Sequence, residues 1–166
     1  MSDDRPTRPS RPRISVPTFD APPTSRPFAL LSNTLSAVDR IVRRHVEQAA
    51  TFAVAPMPMI IVASRESDLV RLVVRMVADA ALSLAVPRAP DASIRIESRL
   101  EGMNVTVSVV SRGAGDFGES GSDEIHPTLT TLAVTAGAVI TTEIERDARR
   151  VIALVPLAVP HDDDAS

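Results

Sequence analysis

The sequence contains no cysteine, no tryptophan and no tyrosine, and all 18 of its basic residues are arginine because lysine is absent. Without cysteine, the chain can hold no disulfide, iron–sulfur cluster or thiolate zinc site. Aromatic residues make up 2% of the sequence against 44% hydrophobic residues, so the core must be aliphatic. The net charge of −3 argues against broad binding of nucleic acid by phosphate neutralisation, and nucleic acid is not an expected partner.

Long apolar runs are also missing. No run of about 18 apolar residues occurs, so no membrane-spanning helix is predicted. The first residues are polar and rich in proline, unlike a signal peptide with its apolar centre. We therefore expect a soluble cytoplasmic protein without a membrane partner. With 166 residues, the chain has room for one domain and a tail.

Both ends of the chain are predicted to lie outside the folded domain. Residues 1–27 hold seven of the 14 prolines and five arginines, with few large apolar residues that could be buried. That composition predicts a disordered tail. Residues 160–166 are rich in aspartate and predict an acidic tail. The folded part is then an amphipathic helix at 28–54 and a domain at 55–159.

The first folded segment has the apolar spacing of a helix from Phe28 to Ala53. Apolar or small residues recur in alternating steps of three and four, which is typical of a stripe that faces a partner helix. Since a lone amphipathic helix is marginal in water, the stripe either packs on its own domain or pairs with a second copy. We expect a homodimer through residues 28–52. The stripe consists of Phe28, Leu31, Leu35, Val38, Val42, His45, Ala49 and Phe52.

The remaining domain reads as an alternation of short strands and apolar-faced helices. Its strands pair through hairpin turns and its helices each have one apolar face, which predicts an α+β fold. The expected class is a two-layer α/β sandwich with the order β-α-β-β-α-β-β, preceded by one long helix. The predicted strands are 59–63, 93–99, 103–110, 138–145 and 149–157, and the predicted helices are 65–86 and 127–136.

This order of elements resembles the ATP-binding domain of sensor histidine kinases and Hsp90-like ATPases, and short motifs support the resemblance. The family carries NLLxNAxxH on a helix, and Arg75-Met76-Val77-Ala78-Asp79-Ala80 stands in that place with Asp79 where asparagine is expected. The family's DxGxG corresponds to Ser111-Arg112-Gly113-Ala114-Gly115. Both glycines are kept, but Ser111 replaces the aspartate that receives the adenine amino group.

Two further family motifs are also altered. The glycine box GxGLGL, which cradles phosphates at the start of a helix, corresponds to residues 126–132, which contain no glycine. The closing pattern GGxIxVxS…GTxFxLxLP is echoed by residues 136–140 and by Val151 to Pro156. The resemblance thus covers residues 59–157 and implies the fold of a histidine-kinase ATPase domain.

The resemblance implies an ATP and magnesium site of which only vestiges remain, at Asp79, Ser111, Gly113 and Gly115. The lost adenine acceptor and the missing glycines remove specific hydrogen bonding and close backbone approach to phosphate. Asp79 could still bind magnesium. Its spacing of four from Arg75 instead predicts an ion pair on the helix surface. We expect a pseudo-ATPase without cofactor, metal or kinase activity, with bound ATP and magnesium as the alternative.

The expected function is that of a non-catalytic, histidine-kinase-like regulatory or adaptor domain. It would bind a signalling protein, such as a response regulator or a kinase, in bacterial two-component-type signalling. A rival hypothesis is a histidine phosphotransferase with His45 as phospho-acceptor, because bacterial histidine phosphotransferases with a degenerate ATPase domain are similar in outline. A second rival is an ATP-binding switch of the anti-sigma-factor type, and a third is a purely structural dimer.

Overall fold

A computed structural model of the chain describes residues 28–57, 59–84, 90–113, 125–145 and 147–158. The predicted tails at 1–27 and 160–166 lie outside the described residues. Among the described residues, no helix combines the length and apolar character needed to cross a membrane.

The described residues form seven strands and three helices. A five-stranded sheet has the order β2-β4-β5-β7-β6, in which β2 is parallel to β4 and the other neighbours are antiparallel. The strands are β1 (Ala29–Leu30), β2 (Thr51–Val54), β3 (Ile61–Val62), β4 (Ser93–Glu101), β5 (Asn104–Arg112), β6 (Val139–Ile144) and β7 (Ala148–Pro156). The helices are α1 (Leu31–Val46), α2 (Glu66–Leu82) and α3 (Pro127–Thr135). This architecture confirms the predicted two-layer α+β sandwich.

The three helices cover one face of the sheet because its strands alternate in polarity. On β4, for example, Ile94 and Ile96 are buried beneath the helices while Arg95 and Arg99 are exposed on the open face. Helix α2 lies over the centre of the sheet and buries six side chains that recur at helical spacing. These are Leu69, Leu72, Val73, Met76, Val77 and Ala80.

Helix α1 is shorter than the sequence predicts. It ends at Val46, and residues 51–54 form β2, an edge strand whose Thr51 amide donates to the Ala92 carbonyl at 2.9 Å. The prediction of one helix through Ala53 is therefore wrong beyond Val46. Thr51-Phe52-Ala53-Val54 is rich in residues that favour strands, and Phe52 continued the helical spacing only by coincidence.

The apolar stripe of α1 packs on α2 of the same chain. Leu31, Leu35, Val38 and Val42 are at most 6% exposed within one chain. Most of the stripe from which the homodimer was predicted is therefore buried within one chain, while Phe28 at its start is 46% exposed. His45 does not belong to this stripe, because its side chain is exposed and the neighbouring Val46 is buried instead.

A short ribbon of β1 and β3 lies at one end of the sheet. Val62 pairs with Ala29 on one side and with Leu157 on the other. The Ala63 amide also donates to the Pro156 carbonyl at 2.8 Å, at the end of β7. This ribbon therefore holds the start of α1 against the end of the last strand.

Two glycines occupy backbone conformations that other residues rarely adopt. Gly102 has φ +62° in the turn between β4 and β5, and Gly137 has φ +70° after α3. Glycine tolerates this left-handed conformation, which is common in tight hairpin turns and at the ends of helices. These turns set the register of the β4–β5 hairpin and the point where α3 passes into β6.

Candidate functional site

Asp79 lies near the end of α2 and forms an ion pair with Arg149 of β7. The Arg149 Nη1 atom lies 2.6 Å from the Asp79 Oδ2 atom, and the two side chains are only 7% and 20% exposed. Arg149 points to the helix side of the sheet because it has the same alternation as the buried Val151 and Ala153. The pair therefore bridges the two layers of the sandwich from inside.

Ser111 joins this cluster from the neighbouring strand β5. It is fully buried and lies opposite Arg149 in the β5–β7 pairing. Its hydroxyl donates to the Arg149 carbonyl at 3.3 Å. The structure thus brings Asp79 and Ser111 together around one residue, Arg149, as the family resemblance would place them around a nucleotide.

The predicted surface pair of Arg75 and Asp79 is wrong. Among the described residues, the ion-pair partner of Asp79 is Arg149. The Arg75 Nε atom is buried and has no hydrogen-bond partner in the described part of the chain. A spacing of four brings two residues to the same side of a helix, but the Asp79 carboxylate pairs with Arg149 of the sheet instead.

The start of α3 stands where the family cradles phosphate, and its first amides are already engaged. Residue Pro127 has no amide hydrogen, and the Thr128 amide donates to the Nδ1 atom of His126 at 3.2 Å. The Leu129 amide donates to the His126 carbonyl at 2.9 Å. Because a helix binds phosphate through free amides in its first turn, this turn offers no ready phosphate site.

Of the two vestigial glycines, Gly113 is among the described residues and Gly115 is not. Gly113 follows β5, and a Cβ atom built there would lie 3.4 Å from the Leu84 side chain, an ordinary packing distance. Packing around Gly113 therefore does not itself require glycine. Gly115 lies outside the described residues.

The residues present do not fit ATP with magnesium. The carboxylate that would hold the metal is paired with Arg149. The position of the adenine acceptor is a hydroxyl that donates to the backbone of Arg149. The first turn of α3 has its amides engaged. At these three places, the groups that the family would offer to the nucleotide are engaged within the chain itself.

Arg149 is the site residue that sequence reasoning missed. Arg149 shares the two-residue spacing of Val151, Ala153 and Val155, which are buried. Ile152 and Leu154 on the other side of β7 are apolar as well, so the sequence does not show which side of the strand is buried. An arginine at a buried strand position is rare unless it is paired, and here the pairing becomes visible only in the structure.

Comparison with solved structures identifies the fold. The histidine kinase domain of the E. coli osmosensor EnvZ matches with a TM-score of 0.58 and 18% identity, over 85% of this chain and 94% of that chain. The ATP-binding domain of PrrB from Mycobacterium tuberculosis matches with a TM-score of 0.60 and 13% identity, over 80% of this chain and 97% of that chain. The chain thus has the fold of a histidine-kinase catalytic domain.

A third match is a kinase seen with a partner. The histidine kinase ThkA, solved in complex with the response regulator protein TrrA, has a TM-score of 0.63 and 15% identity, over 79% of this chain and 41% of the kinase chain. No protein-family model and no curated protein matches the sequence. At such low sequence identities, these structural matches show the fold alone. The activity must therefore be argued from the residues of the site.

Proposed function

We propose that this domain binds no nucleotide and acts as a non-catalytic regulatory or adaptor domain by binding a protein in two-component-type signalling. The observation that carries this proposal is the buried ion pair of Arg149 and Asp79. It places a fixed cation where the family resemblance requires a nucleotide and its metal. The fold is that of a histidine-kinase catalytic domain, while the polar groups of the candidate site interact with one another.

Magnesium at the Asp79 Oδ1 atom would lie close to the Arg149 cation, and magnesium at the Oδ2 atom would have to break this pair. The Arg149 guanidinium would then lose its partner while remaining almost fully buried. Leaving a buried charge without its partner costs about 3–5 kcal/mol. A nucleotide would also have to displace the His126 imidazole from the first turn of α3 to reach an amide there. Both costs oppose binding before any favourable contact forms.

Titration of the protein with ATP and magnesium in a calorimeter tests the proposal. We expect no saturable heat up to millimolar ATP, because the site is filled by its own side chains. The Ser111→Asp variant should behave in the same way, since it restores one acceptor and leaves Arg149 in place. A dissociation constant in the micromolar range for the natural sequence would overturn the proposal and favour an ATP-binding switch.

The fold and one solved complex support a proposal for the class of partner. ThkA, which shares this fold, was solved with a response regulator protein. We therefore propose a response regulator, or a kinase acting on one, as the protein that this domain binds. Such a domain would influence signalling by occupancy of a surface and not by phosphoryl transfer from ATP.

Phosphotransfer through His45 is the second candidate, and one observation favours it. The His45 side chain is exposed on α1 and accessible to a partner. Incubation with a phosphorylated response regulator, followed by a search for acid-labile phosphate on this protein, separates the two candidates. The non-catalytic proposal expects no phosphate. Label on the natural sequence that disappears in His45→Gln would establish the phosphotransferase instead.

A further inference from the structure

The arginines of α1 differ in whether the chain itself neutralises them. Arg43 hydrogen-bonds to both Asp39 and Glu47, and its guanidinium lies 5.2 Å from the centre of the Phe52 ring. These hydrogen bonds, above all the one to Asp39, raise the pKa of Arg43 above its ordinary value. Arg43 therefore serves the fold, because it ties α1 to β2.

Arg40 and Arg44 have no such role. Both are exposed, and neither forms an ion pair with any described residue. They lie four residues apart, so their charges repel each other on the same side of the helix. The helix dipole favours Arg44 in the last turn, but Arg40 lies too far from the helix end to benefit. Stability of α1 does not account for this pair.

Ile41 lies beside the two arginines on the outer side of α1. Its side chain is 51% exposed, whereas the apolar stripe of the same helix is buried against α2. Arginine is enriched among binding hot spots at protein interfaces, and Ile41 offers an apolar contact beside the two arginines. The chain as a whole carries a net charge of −3, so a cationic surface here is a local feature.

We propose that Arg40, Ile41 and Arg44, here named the α1 stripe, dock an acidic amphipathic helix of the partner protein. Two carboxylates four residues apart on that helix would match the spacing of the arginines, and an apolar residue between them would cover Ile41. This inference rests on the proposed function, in that the domain works by binding a protein.

A designed peptide provides the probe. It has 20 residues, forms a helix and carries pairs of glutamates four residues apart on either side of a leucine row. A second peptide has the same composition in scrambled order. Fluorescence anisotropy measures the binding of each to the full chain at low and high salt. We expect the ordered peptide to bind, and to bind more weakly as the salt concentration rises.

The variants separate the α1 stripe from general charge effects. Arg40→Glu with Arg44→Glu should weaken binding by about tenfold or more, because attraction becomes repulsion. Ile41→Ser should weaken binding of the ordered peptide by about fivefold, since the apolar contact is lost. The matched control is Arg65→Glu with Arg71→Glu, which makes the same charge change at two exposed arginines elsewhere. That control should stay within about twofold of the natural sequence.

Three results would overturn the proposal. The first is absence of binding by the natural sequence, and the second is an equal loss in the control pair. The third is a large gain in affinity when the chain is shortened to end at Ala158, because the acidic residues 160–166 would then be the occupant of the α1 stripe. None of these results changes the outcome of the ATP titration, so failure of this inference is distinguishable from failure of the proposed function.

Discussion

Replacement of Leu35 and Val42 together by glutamate should unfold the domain. Both side chains are buried between α1 and α2, at 1% and 6% exposure. Two carboxylates in this apolar contact would have no partner, and the aliphatic packing of both side chains would be lost. The combined loss should exceed about 5 kcal/mol, which is comparable with the whole stability of a small domain. Circular dichroism should show the loss of the folded signal at room temperature.

Ile41→Glu is the matched control on the same helix. Its side chain is half exposed, so the change should alter stability by about 0.5 kcal/mol or less. The competing interpretation is a dimer through the apolar stripe. It requires that the natural sequence sediments as a dimer at micromolar concentration and that the Leu35 and Val42 double variant is a folded monomer. That pair of results would refute the packing of α1 on α2 described above.

Removal of the internal cation should have the second largest effect. Arg149→Ala leaves the Asp79 carboxylate without its partner between the two layers, and it removes the packing of a nearly buried side chain. We expect a loss of about 2–4 kcal/mol in the free energy of unfolding, somewhat below the value for a fully buried pair because Asp79 keeps some contact with water. Urea unfolding at neutral pH measures it.

Arg150→Ala provides the control one residue along the strand. Arg150 points to the open face and pairs with Glu97 at 3.2 Å, and both side chains are about one third exposed. Loss of this exposed pair should cost under about 1 kcal/mol. In addition, Arg149→Met combined with Asp79→Asn should lose less stability than Arg149→Ala alone, because no charge is left unpaired. If Arg149→Ala and Arg150→Ala lost the same free energy of unfolding, the pair of Arg149 and Asp79 would not contribute more to stability than an exposed pair.

Local patterns were enough to predict the layers of this fold. Alternating residues such as Val105 and Val107 placed the hairpin strands, and the wide apolar face of α2 placed that helix on the sheet. The apolar stripe of α1 was also recognised from the sequence, but the helix on which it packs was not. A helical stripe shows that a helix packs against something, and the pattern is the same for a second copy and for α2.

The site was less predictable because it depends on contacts between distant residues. Asp79 and Arg149 are 70 residues apart. The packing of α2 on the sheet brings them together, and the pairing of β5 with β7 places Ser111 beside Arg149. The sequence raised Asp79 and Ser111 as positions of interest, and the structure brings both into contact with Arg149. It assigned Asp79 to Arg75, because spacing within a helix is visible in a sequence and register across a sheet is not.

The position of β3 has a consequence for how this domain could be joined to other polypeptides. Val62 lies between Ala29 of β1 and Leu157, which directly follows β7, so the two ends of the described fold flank a single residue. Two strand spacings amount to about 10 Å, which a linker of a few residues can span. The domain should therefore tolerate circular permutation, and it could be inserted into a loop of a host protein without separating the host's two ends.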